Sequence, residues 1–375
     1  MYRGIERLKS FSSTKEINES ILSHIPVSKK EIETKGVYIF GVGKLGQRIF
    51  NFLSSREIKV IGFIDNNQER QKNKSNNLSV FSPSAIDKDA LVYIASATYY
   101  NPIYKQLLGL GFTKLFSHQQ AGILFLNETS FPVEMYQENL TEDLFTNRSK
   151  YLQVFDLLED DESKTVFDNL ISFRLTLNQK YIDAVYTKIE KEYFDSSVIE
   201  LDENEVYIDA GGFDGDSAEN FIKFVNKKYK SVHIFEPDLA LLNKAKVRLK
   251  EFDHITYNPI GIYDKTTTLY FDVTGGLDGI ISNQGTVKID TISIDEYKDA
   301  QPTYIKIDIE GVEIEALNGA VNTIKTLKPK LAIASYHYPK HLWEIPLLVN
   351  RINPSYKLKL RHYTDSVFDS IFYFI

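Results

Sequence analysis

Two stretches of this chain follow one plan: a short apolar run, a glycine-rich turn, then apolar residues every three or four positions. The first is Val37–Phe40, the turn Gly41-Val-Gly-Lys-Leu-Gly46, and a helical segment with Leu45, Ile49, Phe52 and Leu53. The second is the run 206–208, the turn Asp209-Ala-Gly-Gly-Phe-Asp-Gly215, and a segment with Ala218, Phe221, Ile222 and Val225. The i, i+3, i+4, i+7 spacing of that last set predicts a helix with one face packed on a sheet. Further strand-like runs follow each copy: 59–65, 91–96 and 114–117 in the first half, with a helix near 102–110. In the second half they are 231–236, 255–259, 304–309 and 330–336. Strands alternating with helices predict parallel sheets covered on both faces. The expected fold class is therefore α/β, with two Rossmann-like doubly wound domains.

Four other segments read differently. Residues 127–200 carry charged, helix-period sequence (Leu152, Phe155, Leu158; Val166, Leu170, Phe173) and predict a helical connector between domains at 1–126 and 201–375. Ser13-Thr-Lys-Glu16 predicts a capping box, and the polar stretch 68–77 a solvated loop. At the C-terminus, the alternating runs 356–363 and 370–375 flank Thr364-Asp-Ser and predict a hairpin, making the last strand antiparallel to an otherwise parallel sheet.

Composition narrows the partners. The chain has 375 residues, 43 % hydrophobic and 25 % charged, which suits globular domains and argues against disorder. Lys and Arg number 44 against 51 Asp and Glu, a net charge of −7 that offers no general attraction to a nucleic-acid backbone. The absence of cysteine excludes disulfides, thiolate metal sites and a Cys nucleophile. No apolar run is long enough to span a membrane, and the first residues lack the apolar centre of a signal peptide. The expectation is a soluble, cytoplasmic protein without nucleic-acid or membrane partners; whether it forms a homo-oligomer is left open.

The two turns differ chemically. In the first, Gly41, Gly43 and Gly46 follow a strand and Asp65 closes the next, the pattern of a nucleotide-binding turn with a ribose-binding acid. The same glycines also serve a tight turn kept only for packing or assembly. In the second, Asp209 precedes the glycines and Glu236 ends the next strand 27 residues later. A carboxylate before the loop suits a ligand amino group rather than a pyrophosphate, and an acid at the second strand tip suits ribose hydroxyls. Together they fit S-adenosylmethionine.

Residues 207–216 (Tyr-Ile-Asp-Ala-Gly-Gly-Phe-Asp-Gly-Asp), Ile234-Phe-Glu-Pro-Asp238 and above all Tyr304-Ile-Lys-Ile-Asp-Ile-Glu-Gly-Val-Glu313 resemble the FkbM family of methyltransferases, a likeness covering roughly 190–375. The resemblance implies a class I S-adenosylmethionine fold with an antiparallel last strand. It also implies O-methyl transfer to hydroxyls of sugars, glycans or secondary metabolites. Residues 157–176 are similar to what precedes this domain in two-domain relatives. Gly62-Phe-Ile-Asp-Asn66 resembles the N-terminal Rossmann-like domains of bacterial polysaccharide-modifying enzymes.

Ligands of open α/β sheets bind beyond the carboxyl ends of the strands, where Asp209, Glu236, Asn258, Asp308 and His337 all fall. The expected cofactor site is Asp209, Gly211, Gly212, Gly215, Glu236 and Asn258; the candidate proton acceptors are His337, as a neutral imidazole, and Asp308. A second nucleotide site is placed at Gly41, Gly43, Gly46 and Asp65. Asp308 and Glu310 offer hard oxygen ligands for magnesium, but no metal is assigned. Lys306 is expected to pair with a carboxylate. Glu313 is explained as a first-turn acid favoured by the helix dipole, and His24, His118, His254 and His341 are given no role. The run Gly275-Gly-Leu-Asp-Gly279 is either a lid over the acceptor or a plain hairpin tip. Two other functions remain open: a nicotinamide-dependent sugar oxidoreductase using the first turn, and a non-catalytic assembly role for that domain.

Overall fold

Each apolar run must pair its backbone groups before it can be buried, so strand order decides which turns share a sheet edge. The computed structural model describes residues 2–126, 128, 130–272, 280–281 and 287–375. The glycine run 275–279 lies outside the described residues. The chain divides into two compact units, one formed by Met1–Arg148, Asp168–Val185 and Asp365–Phe368, the other by Ser149–Phe167, Tyr186–Thr364 and Asp369–Ile375. The segment 127–200 is thus shared between them. No described helix is long and apolar enough to cross a membrane.

The first unit holds β1 (Val37–Phe40), β2 (Val60–Ile64), β3 (Lys74–Ser75), β4 (Leu78–Phe81), β5 (Val92–Ile94) and β6 (Leu115–Ser117). Their order is β3-β4-β2-β1-β5-β6, parallel throughout except for the β3–β4 pair. The stretch expected as a loop at 68–77 instead forms the helix Gln68–Gln71 and edge strand β3. The Asn67 side chain caps that helix by accepting from Glu69 N and Arg70 N, a local bond that polarity alone does not announce. Ser13 likewise caps the helix Thr14–Leu22 by accepting from Glu16 N, but the Glu16 carboxylate turns to Ser12 rather than completing a capping box.

In the first glycine turn, a Cβ on Gly46 would stand 2.0 Å from the Gly41 carbonyl oxygen, whereas one on Gly43 would meet nothing within 4 Å. Gly46 therefore answers a packing demand of the strand–helix junction. Gly46→Ala should cost about 1–3 kcal/mol in urea unfolding while Gly43→Ala stays within about 1 kcal/mol; equal costs would remove this distinction.

The second unit holds β7 (Val206–Ala210), β8 (Ser231–Phe235), β9 (Ile255–Asn258), β10 (Gly261–Ile262), β11 (Thr267–Asp272), β12 (Ile280–Ile281), β13 (Val287–Ile292), β14 (Tyr304–Ile307), β15 (Lys330–Ala334), β16 (Leu358–His362) and β17 (Ser370–Phe374). Seven of them form a sheet in the order β16-β17-β15-β14-β7-β8-β9. In this sheet β15, β14, β7, β8 and β9 are mutually parallel, and β17 runs antiparallel to both β15 and β16, as the C-terminal hairpin predicts. Chain order reverses direction between β7 and β14, which makes their carboxyl ends the switch point of the sheet. Tyr207 anchors the core there, its ring 4.5 Å from Phe221 and 5.2 Å from Tyr304.

Arg361 of β16 is 3 % exposed, and its guanidinium donates to both Asp160 oxygens at 3.3 and 3.1 Å. Burial pushes the Asp160 carboxyl up, but the bonds from Arg361 and Ser163 outweigh it and hold the group at about 2. A depressed carboxyl stabilises the fold above the ordinary carboxylate range and loses that contribution as pH falls toward 2. Asp160→Asn should cost about 1–2 kcal/mol at pH 7, moderated by partial exposure and by the remaining partner Glu162. Urea curves of the variant and the wild type should converge near pH 2; a constant gap would contradict the pairing.

Candidate active site

Asp209 is the fourth residue of β7, and parallel register places it beside Lys306 on β14. Both are buried, with Nζ 3.3 Å from Oδ1 of Asp209, whose Oδ2 accepts from Ser217 Oγ at 2.6 Å. The same ammonium donates to the Gly211 carbonyl at 2.5 Å. Burial raises the Asp209 carboxyl, with Lys306 as the chief opposing influence. Burial in turn opposes charge on Lys306, but Asp209 and Asp308 raise it overall. The cation expected from a ligand is thus supplied by the chain itself.

The turn that follows is pressed against two strand ends. Gly211 has φ +79°, and a Cβ there would fall 1.8 Å from the Asp308 carbonyl oxygen; one on Gly212 would fall 2.3 Å from Ile234 Cγ2. Gly211 N and Gly212 N both donate to the Phe235 carbonyl. The next residue, Phe213, has φ +45° and donates its N–H to Glu236 Oε2 at 3.0 Å, while Oε1 accepts from Asp238 N at 2.9 Å. Burial raises the Glu236 carboxyl against those two bonds. One N–H per oxygen leaves each a lone pair for a ligand hydroxyl. Asn258 ends β9, and its amide donates to the Ile234 carbonyl at 3.1 Å.

On the other side of the switch point lies Asp308, just beyond β14. Its carboxylate accepts from Tyr193 Oη at 2.8 Å and Tyr336 Oη at 3.1 Å. His337 Nε2 stands 3.6 Å from Asp308 Oδ1 and 3.5 Å from Glu310 Oε2. Two further half-buried acids belong to this group: burial and then Asp369 and Asp308 raise Glu192, and burial and then Asp308 push Asp369 up to about 7. Tyr193, Tyr336, Glu192 and Asp369 were not foreseen, since they come from segments far apart in sequence that carry no motif.

The neutral form expected of His337 is not the one its surroundings favour. Burial opposes charge, but Glu313, Glu310 and Asp308 together lift the imidazole well above its ordinary value. Glu313 needs more than the helix-dipole explanation: it is fully buried, with Oε1 accepting from Ile309 N and Gly311 N and lying 3.0 Å from His337 Nδ1. Burial pushes its carboxyl up, yet His337, His341 and Ile309 N bring it down to about 2. His341, given no role from the sequence, has Nδ1 3.3 Å from Glu313 Oε2. The His-x-x-x-His spacing of 337 and 341 was the available signal.

In the other unit, Asp65 is already engaged. Its Oδ2 pairs with Arg70 Nη1 at 3.0 Å and its Oδ1 accepts from Asn67 N at 2.9 Å. The acid at the tip of β2 therefore organises its own following helix.

Residues 209–353 match the family model described as the methyltransferase FkbM domain. This chain carries an FkbM methyltransferase domain. It is a methyltransferase. Residues 33–115 match the model described as C2185-like, N-terminal. Among solved structures, the methyltransferase FkbM from Methylobacillus flagellatus KT is similar over 99 % of this chain and 97 % of its own, with a TM-score of 0.76 and 24 % identity, and it shares the fold. A SAM dependent methyltransferase from Aquifex aeolicus is 13 % identical over 52 % of this chain and 97 % of its own, with a TM-score of 0.31. No curated protein matches the chain.

Removing the buried cation should show how far the methyltransferase turn depends on it. Lys306→Met leaves Asp209 charged in the core and should cost about 3–5 kcal/mol in urea unfolding, of which a second change, Asp209→Asn, restores a large part. Additive losses would mean that the two side chains do not act as a pair.

Proposed function

We propose that the domain transfers a methyl group from S-adenosylmethionine to a hydroxyl oxygen of a sugar, glycan or secondary metabolite. The observation that carries this reading is the placement of two unlike carboxylates on either side of the β7–β14 switch point. Glu236 keeps free lone pairs beside the glycine turn, and Asp308 is held by two phenols beside His337. In this reading Gly211, Gly212, Gly215, Glu236 and Asn258 hold the cofactor, with Glu236 taking the ribose hydroxyls. Asp209 acts through Lys306, which holds the Gly211 carbonyl and so the height of the turn. When bound, S-adenosylmethionine supplies a sulfonium methyl that an acceptor oxygen displaces in line. Asp308 receives the proton leaving that oxygen, and Tyr193 and Tyr336 hold its carboxylate in place by donating to it. His337 keeps positive charge or a ring N–H facing Asp308 and Glu310, which orients the proton acceptor.

Glu236→Ala should weaken S-adenosylmethionine binding about 10–100-fold by calorimetry, the worth of charge-assisted bonds to a ribose. Unchanged affinity would end its ribose role. Asp308→Asn should lower methyl transfer to a responsive sugar or metabolite acceptor about 100-fold or more, with cofactor affinity within threefold. A full rate would assign the proton to another group.

A second reading concerns the first unit. Gly43 has open space where a Cβ would stand, which leaves room for a phosphate group at the turn Gly41–Gly46. Titration with NAD or a sugar nucleotide tests it, and Asp65, tied to Arg70, is the residue whose release such binding requires.

A further inference from the structure

Behind His337, on the side away from Asp308, three buried side chains converge from two separate stretches, Glu313 from one and His337 with His341 from the other. Glu313 opens the helix Glu313–Asn318, His337 follows β15, and His341 opens the helix His341–Ile352. One carboxylate oxygen of Glu313 and one ring nitrogen of each histidine lie within 4.8 Å of one another. The closest approaches are 3.0 Å from His337 Nδ1 to Glu313 Oε1 and 3.3 Å from His341 Nδ1 to Glu313 Oε2.

These approaches are short, yet buried Glu313 Oε2 and His337 Nδ1 make no hydrogen bond of acceptable geometry. A buried polar atom without a hydrogen bond costs about 1–3 kcal/mol, more when charged. A ring N–H that donates to a carboxylate points along its own axis at the oxygen. Two ligands of a shared ion stand to either side of it, so each lies off the other's axis. Bonds of about 2.0–2.1 Å to a tetrahedral ion place neighbouring ligand atoms about 3.3 Å apart, close to the spacings seen between these side chains. The Glu313 carboxylate is also anchored as a metal ligand needs to be, since Oε1 accepts from two backbone N–H groups, Ile309 at 3.0 Å and Gly311 at 3.3 Å.

We propose that Glu313, His337 and His341 bind a divalent transition-metal ion, and that two imidazoles with one carboxylate select zinc. An ion on Nδ1 leaves the ring proton of His337 on Nε2, the atom facing Asp308 and Glu310. The metal thereby makes His337 a positioning residue with a fixed tautomer. The site does not depend on the methyl-transfer reading, because its test counts metal.

The test is zinc titration of the full chain, stripped with a chelator, in competition with a chromophoric chelator. One equivalent should bind tightly to the wild type and to Asp308→Asn, with affinity falling at least 100-fold in His341→Ala and Glu313→Gln. X-ray absorption of the zinc-loaded wild type should show nitrogen and oxygen neighbours at about 2.0–2.1 Å, a readout that needs no variant to fold. A wild type that takes up no stoichiometric zinc overturns the proposal, as does binding that survives His341→Ala intact or shows only a water shell.

Discussion

The active edge of this protein depends on a charge pair buried inside a parallel sheet. Asp209 and Lys306 stand side by side on β7 and β14, and neither reaches solvent. Taking either charge out of water alone costs several kcal/mol, so each residue requires the other. Because the lysine also holds the Gly211 carbonyl, the pair sets the position of the turn and not merely its stability. The turn then passes so close to Asp308 and Ile234 that only glycine fits at 211 and 212. The next residue, Phe213, reaches Glu236 with its N–H. A single electrostatic demand in the core is thus relayed, by steric contact and one backbone hydrogen bond, to the Glu236 carboxylate.

The opposite side of the switch point is organised by concentration of charge. Asp308, Glu192 and Asp369 act on one another here, and burial first and then the neighbouring carboxylates raise Glu192 and Asp369. Local backbone strain gathers at the same edge: Tyr193, Phe213 and Glu310 all adopt positive φ, at +63°, +45° and +56°. Bulky side chains hold that conformation only where surrounding contacts enforce it, here the phenol bond to Asp308 and the carboxylate bond from Phe213.

How much of this was legible in one sequence varies from residue to residue. The repeated strand–turn–helix plan and the C-terminal hairpin could be read directly, because side-chain periodicity and turn residues are local properties. The helix Gln68–Gln71 could not, since its cap at Asn67 sits within a stretch polar throughout. Glu236 and Asp308 stood out by following apolar runs. Glu313 reads from the sequence only as a first-turn acid favoured by the helix dipole, because its spacing cannot tell that the helix start faces inward toward two histidines.

The sequence by itself determined which residues sit at strand ends, and therefore the class of chemistry, because strand length and glycine placement are written in the order of the residues. Only the tertiary structure decided what each charged group faces. Lys306 reaches Asp209 through the register of two strands nearly a hundred residues apart. Tyr193 and Tyr336 reach Asp308 because the sheet brings remote segments to one edge. The upward pull on the His337 imidazole follows from three carboxylates gathered by folding. Electrostatic environment is a property of distances in space, and a chain carries those distances only once its strands have chosen their neighbours.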